Sequence, residues 1–141
     1  PILLYAGEQY FIYEFVEGKE IMEFISGSNK REITAAVAEV LRQCYVLDGM
    51  TLNKEEMHHP HKHVIIDRNG KPWLVDFERA RRTERPKNVT QFCQYLRSGN
   101  FNQLLAQRGV RVPIVTITGA AKEYGKNPSV RGYRAIEKLL T

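Results

Sequence analysis

From Lys30 to Leu47 apolar residues recur at Ile33, Val37, Val40, Leu41 and Cys44, every third or fourth position. That is the period of an amphipathic helix with one buried stripe. Asn29 stands where an N-cap belongs and Glu32 follows three residues later, the order of a capping box. A helix this long needs other elements to cover its stripe, so the segments on either side of it decide the fold class. Upstream, ILLYAGEQYFIYEF offers two strand-like runs, Ile2 to Tyr5 and Glu8 to Phe15, joined at Ala6 and Gly7. The aromatics Tyr10, Phe11 and Phe15 are expected in the core. A short helix is expected next, opening at Gly18, with Ile21, Met22, Phe24 and Ile25 at helical intervals before Gly-Ser-Asn stops it.

Downstream, HVIID and KPWLVDF flank Asp67-Arg68-Asn69-Gly70, the signal of a second hairpin, with Val64 to Ile66 and Trp73 expected to be buried. Helical spacing returns at Val89, Phe92, Cys93 and Leu96 with Asn88 placed to cap it, again over Phe101 to Gln107, and finally at Val130, Tyr133, Ile136 and Leu140 behind Ser129. Strands do not alternate with helices as a doubly wound sheet requires, so the expected class is α+β and mostly helical.

The chain has 141 residues, 43% of them hydrophobic, enough for one domain with a real core. No apolar run approaches the ~20 residues of a membrane span, and the first residues lack the pattern of a signal peptide, so no membrane partner and a cytoplasmic location are expected. Cys44 and Cys93 sit among apolar neighbours and read as buried free thiols. The net charge is +5, and five cations crowd into Arg79 to Lys87, RARRTERPK. Such a run attracts phosphate, RNA or an acidic peptide, unless it is simply a solvated loop.

EEMHHPHKHVIIDRNGKPWLVDFERA, residues 55 to 80, holds all four histidines and the strongest chemical signals. His59, His61 and His63 alternate and would share one side of an extended segment, which is compatible with zinc, although solvated loop histidines fit as well. Asp76 ends the apolar strand WLV and is followed by Phe77, so its carboxylate can project from a strand end while Phe77 anchors the turn. Phosphoryl transfer needs metal ligands at the phosphates, a carboxylate near the attacking hydroxyl and a fixed nucleotide, and carboxylates at strand ends supply most of that.

The order of a long helix, an acidic loop, a polar residue before an apolar strand, a Gly turn and then LVDF resembles the protein-kinase catalytic core from its catalytic loop through its D-F-G segment. In detail it looks like the predicted serine/threonine kinases of archaea, related to lipopolysaccharide and RIO-type kinases. YFIYEFVEGKEI is similar to the fifth strand, hinge and following helix of that fold, and NVTQFCQYL to the stretch after its D-F-E segment. The resemblance implies a remnant of the N-terminal lobe and hinge over residues 1–17 and a kinase-like C-terminal lobe over 18–141, with a hinge hairpin and a small catalytic-loop hairpin.

It also implies ATP and Mg2+ as cofactors and a set of site residues. Tyr13 would be the gatekeeper, with the Glu14 carbonyl and Val16 amide facing the adenine edge. Asp76 would be the magnesium ligand and Glu56 the catalytic-loop acid, with Glu55 a competitor, and Met57 should pack inward behind it. The position of the asparagine before the next strand falls to Lys62 or His63, and Glu78, in place of the D-F-G glycine, adds a further metal oxygen. The implied substrate is a Ser/Thr or other hydroxyl on a protein or RNA held by Arg79 to Lys87. A Gly-rich loop and strand lysine would lie upstream of Pro1, so the chain by itself is expected to transfer no phosphate and to self-associate through its first hairpin. The alternatives are a catalytically dead kinase relative and a basic RNA- or phosphate-binding module.

Overall fold

In the computed structural model, which describes residues 1–140, the capping box forms as written. The Asn29 side chain accepts from the Glu32 amide at 3.0 Å and the Glu32 carboxylate accepts from the Asn29 amide at 2.9 Å. Helix α2, Lys30–Gly49, starts there and buries Ile33, Ala36, Val37, Val40, Leu41, Cys44 and Asp48. Each fully buried aliphatic side chain contributes about 1.5–3 kcal/mol, so packing of this stripe, more than propensity, holds the helix. Before it lies α1, Ile21–Gly27; after it come α3 (Asn88–Leu96), α4 (Gly99–Gln107), α5 (Ile114–Lys126) and α6 (Val130–Glu137). Small antiparallel sheets complete an α+β architecture among the described residues. No helix among them is long and apolar enough to cross a membrane.

Strands β1 (Leu3–Ala6) and β2 (Phe11–Tyr13) pair antiparallel. The turn lies later than Ala6-Gly7, closed by the Gly7 amide on the Tyr10 carbonyl at 2.8 Å. The expected core aromatics are instead exposed, Phe15 at 86%, because this hairpin stands off the body of the fold. The sequence pattern marks surface that favours burial; it does not supply a cover.

Strand β3, Gly18–Glu20, was expected to be the opening of a helix. It pairs with β5 (Val64–Asp67), which pairs in turn with β6 (Pro72–Leu74). Gly18 is required there, since a Cβ would stand 2.2 Å from the Ile66 carbonyl oxygen. On β5 and β6 the two-residue period wins over the expectation of continuous burial. Val64, Ile66 and Leu74 are buried, whereas the cross-strand pair Ile65 and Trp73 is half-buried on the opposite face.

The β5–β6 turn is built by Asp67. Its carboxylate accepts from the Asn69 amide at 2.8 Å, the Lys71 amide at 3.0 Å and Trp73 Nε1 at 2.9 Å, while Gly70 supplies the positive φ of 78°. These donors, the Trp73 indole first, hold the Asp67 carboxyl below its ordinary pKa. A group depressed in the fold adds stability that is present above the unfolded value and lost as pH falls through the folded one. Asp67→Ala is therefore expected to cost about 1–2 kcal/mol at pH 7, with the gap to wild type closing as pH drops below about 4, read by urea denaturation at stepped pH.

Both thiols are free and buried as expected, and burial pushes Cys93 up to about 12. Ser129 caps α6 by accepting from the Gly132 amide at 3.1 Å, but Val130 is 61% exposed and only Tyr133, Ile136 and Leu140 of the anticipated face are buried. Asn88 does not cap α3. It is the first helical residue, and the cap comes from Asp48 at the far end of α2, which accepts from the Asn88 amide at 3.0 Å and the Val89 amide at 3.3 Å. An anion at that position meets both the unpaired N–H groups and the positive end of the helix dipole.

Candidate functional site

Three separated segments meet beside β5 and β6. Strand β4, Leu52–Asn53, pairs with β7, Arg81–Arg82, and leads through Lys54 and Glu55 into a single 3-10 turn, Glu56–His58. Met57 in that turn is fully buried, which aims the flanking Glu56 outward from a fixed base. His63 immediately precedes β5, and its carbonyl accepts from the Val75 amide at 3.0 Å, so the β5–β6 register sets His63 next to the Val75-Asp76 end of β6.

The result is a cluster in which Glu56, His63 and Asp76 each offer a ligand atom within 4.8 Å of the others. His63 Nε2 lies 3.3 Å from Glu56 Oε2 and His63 Nδ1 lies 3.4 Å from Asp76 Oδ2. That Nδ1 is buried and makes no hydrogen bond, because its contact with Asp76 is close but misaligned. Asp76 has φ 60° and Glu55 φ 75°, left-handed backbone that non-glycine residues seldom adopt. Strain of this kind concentrates at functional sites, and here it occurs at both acidic segments.

Glu55 and Glu56 part company. Arg81 takes Glu55 and holds its carboxyl below the usual range. Arg79 meets Glu56 Oε1 at 3.2 Å, leaving Oε2 toward His63. The acids also sit between different recesses. Asp76 borders an apolar one of about 210 Å3 with Leu3, Phe11, Tyr13, Leu74 and Phe77, and Glu56 borders a polar cleft of about 470 Å3 with Glu55, His58, Arg79 and Arg81.

Of the remaining expected site residues, Glu78 is exposed beside Asp76 in a second recess under the first hairpin but is not in the cluster, and Lys62 is exposed next to His63. Glu14 and Val16 follow β2 outside any element; among the described residues the Glu14 carbonyl and the Val16 amide have no backbone partner. The alternating histidines do not form a zinc triad. His61 Nδ1 is hydrogen-bonded to the Tyr95 hydroxyl at 3.0 Å and His63 turns to the acids, because the segment coils through a turn instead of running extended. Phe77 is partly buried against the core, as its position after Asp76 suggests.

Lys54 is the residue that sequence reasoning missed. It is 1% exposed, donates from Nζ to the Asp76 carbonyl at 2.8 Å, and lies 5.1 Å from the Phe77 ring centroid. Burial pushes its pKa down, while Asp76 and Glu56 oppose that shift. No periodicity points to it, and lysine is among the residue types least often buried. No protein-family model, curated protein or solved structure matches this chain.

Proposed function

We propose that this chain carries the catalytic acids of an ATP-dependent phosphotransferase of the protein-kinase type, acting on a Ser/Thr or other hydroxyl. The observation that carries the reading is the convergence of Glu56, His63 and Asp76 from three segments, one carboxylate at each nitrogen of the His63 ring, with Nδ1 on the Asp76 side buried and without a hydrogen bond. The Asp76 carboxylate and the His63 imidazole are a donor pair that fits a divalent cation, with the carboxylate suited to Mg2+. Asp76 and His63 would hold the cation, which supplies charge neutralisation at the transferring phosphate.

The protein's own part is positioning. Glu56 accepts from the acceptor hydroxyl and aligns it. Arg79 fixes that carboxylate, and Lys54 holds the Asp76 backbone from beneath. The apolar recess between Tyr13 and Phe77 suits the face of a purine, and the Glu14 carbonyl and Val16 amide, without backbone partners among the described residues, follow Tyr13 in sequence for its edge. Self-association through the exposed β1–β2 hairpin belongs to the same reading, since an uncovered apolar ribbon tends to pair. The basic RNA-binding alternative loses two of its five cations to Glu55 and Glu56.

The test is magnesium-dependent phosphotransfer by the natural protein that carries this chain. Glu56→Gln is expected to lower it by roughly 10²-fold or more, and Glu55→Gln by less than about fivefold. The reverse order would move the role to Glu55, and two active variants would remove the acid from the mechanism.

A further inference from the structure

Away from the acids, α3 and α5 approach closely at Gly125, where a Cβ would stand 3.2 Å from Thr90 Cγ2. Two recesses adjoin at this contact, each with Thr90 and Gly125 in its wall, so the groove they make is pinched at its middle. One, of about 240 Å3, takes in Arg97 and Lys122; the other, of about 730 Å3, takes in Arg85, Lys87 and Lys126. Against these five cations the walls carry one acid, Glu84. Lys126 is paired to Glu123 at 2.8 Å, whereas Arg85, Lys87, Arg97 and Lys122 meet no carboxylate at ion-pair distance among the described residues. Arg97 is held in place by a hydrogen bond to Thr118 Oγ1 at 3.0 Å.

The floor differs from the rim. Cys93 at 2% exposure and Ala121 at 7% line the smaller recess, so its floor is apolar beneath Arg97 and Lys122. Lys87 and Arg97 bracket α3, separated by about 15 Å of helical rise, which is the reach of roughly five residues of extended chain. No aromatic side chain lines the groove, and single-stranded nucleic acid relies on aromatic stacking for much of its affinity.

We infer that the α3–α5 groove is a docking site for an extended acidic peptide segment with small apolar residues between its carboxylates. The carboxylates meet Arg85, Lys87, Arg97 and Lys122, and the apolar residues rest on Cys93 and Ala121. The stretch from Arg79 to Lys87 links the Glu56 cleft to this groove along the chain, so a protein anchored here lies one loop away from the acids. That last step rests on the phosphotransferase reading; the binding itself does not, and it is measured without nucleotide or metal.

The experiment is fluorescence anisotropy with a labelled peptide of about eight residues alternating Glu with Ala or Val, its Gln-for-Glu counterpart, and a uridine oligomer of equal length. The Glu peptide is expected to bind in a salt-sensitive manner, with the Gln peptide weaker by roughly tenfold or more. Arg97→Ala/Lys122→Ala should lose a similar factor with an unchanged thermal melt. Because Arg97 bonds Thr118, Lys87→Gln/Lys122→Gln provides a second variant that leaves that bond in place and should show the same loss. Failure of the Glu peptide to bind, tighter binding of the uridine oligomer, or full affinity in the folded variants overturns the inference.

Discussion

Asp76→Asn is expected to reduce magnesium-dependent ATP turnover by roughly 10²–10³-fold, the range for removing one preorganised charge-stabilising group, while leaving the fold intact. The substitution is chosen for the backbone. At φ 60°, Asn is one of the few residues that keeps the left-handed conformation without added strain, so the loop should not move. The Asp76 side chain is half exposed, and Lys54 grips the carbonyl, not the carboxylate, so the anchor beneath the loop survives the change. Stability should shift by no more than about 0.5 kcal/mol. A second readout needs no turnover: Mn2+ binding by the chain, followed by the loss of its free EPR signal, should weaken in the variant. Wild-type turnover in Asp76→Asn would remove the phosphotransferase reading of this cluster.

What could be read from the sequence depended on whether a feature was local. The Asn29–Glu32 box and the Asp67–Gly70 turn close on themselves within a few residues, and both formed as written. Strand β3 was illegible because Gly18-Lys19-Glu20 shows no apolar alternation; only its pairing with β5 makes it a strand. Helix α5 was missed for the opposite reason. Ile114-Val-Thr-Ile-Thr is a β-branched run that reads as extended, and burial of Ile117, Ala121 and Tyr124 overrides it. At the candidate site, the strand-end position of Asp76 could be placed from order along the chain, whereas His63 before β5 and the inward Met57 were expected only from the resemblance to a kinase catalytic loop. Lys54 could not be placed, since its role depends on the Asp76 carbonyl 22 residues away.

Asp48→Ala is expected to lower the free energy of unfolding by about 3–4 kcal/mol in urea denaturation, the largest stability effect of any single change considered. Asp48 is 7% exposed and its carboxylate accepts from the Asn88 amide, Asn88 Nδ2 at 2.8 Å, the Val89 amide and the Tyr124 hydroxyl at 3.1 Å. Removing it strands several buried donors and uncaps α3. It also loosens Asn88, whose side chain donates to the Leu52 carbonyl at 2.7 Å and accepts from the Lys54 amide at 2.8 Å, the backbone that carries Lys54 and Glu56. Asp48→Asn should keep more than half of the stability, because the amide oxygen retains two donors and the Tyr124 hydroxyl can turn to accept. Burial raises the Asp48 pKa against the opposing hydrogen bonds, led by Asn88. Its protonated form therefore adds stability that is full below the ordinary carboxylate value and is lost as pH rises through the raised one. The Asn variant lacks that titration, so its deficit relative to wild type should shrink as pH rises through this window. A deficit that widens instead would mean that the hydrogen bonds outweigh desolvation and that Asp48 is held below its ordinary pKa.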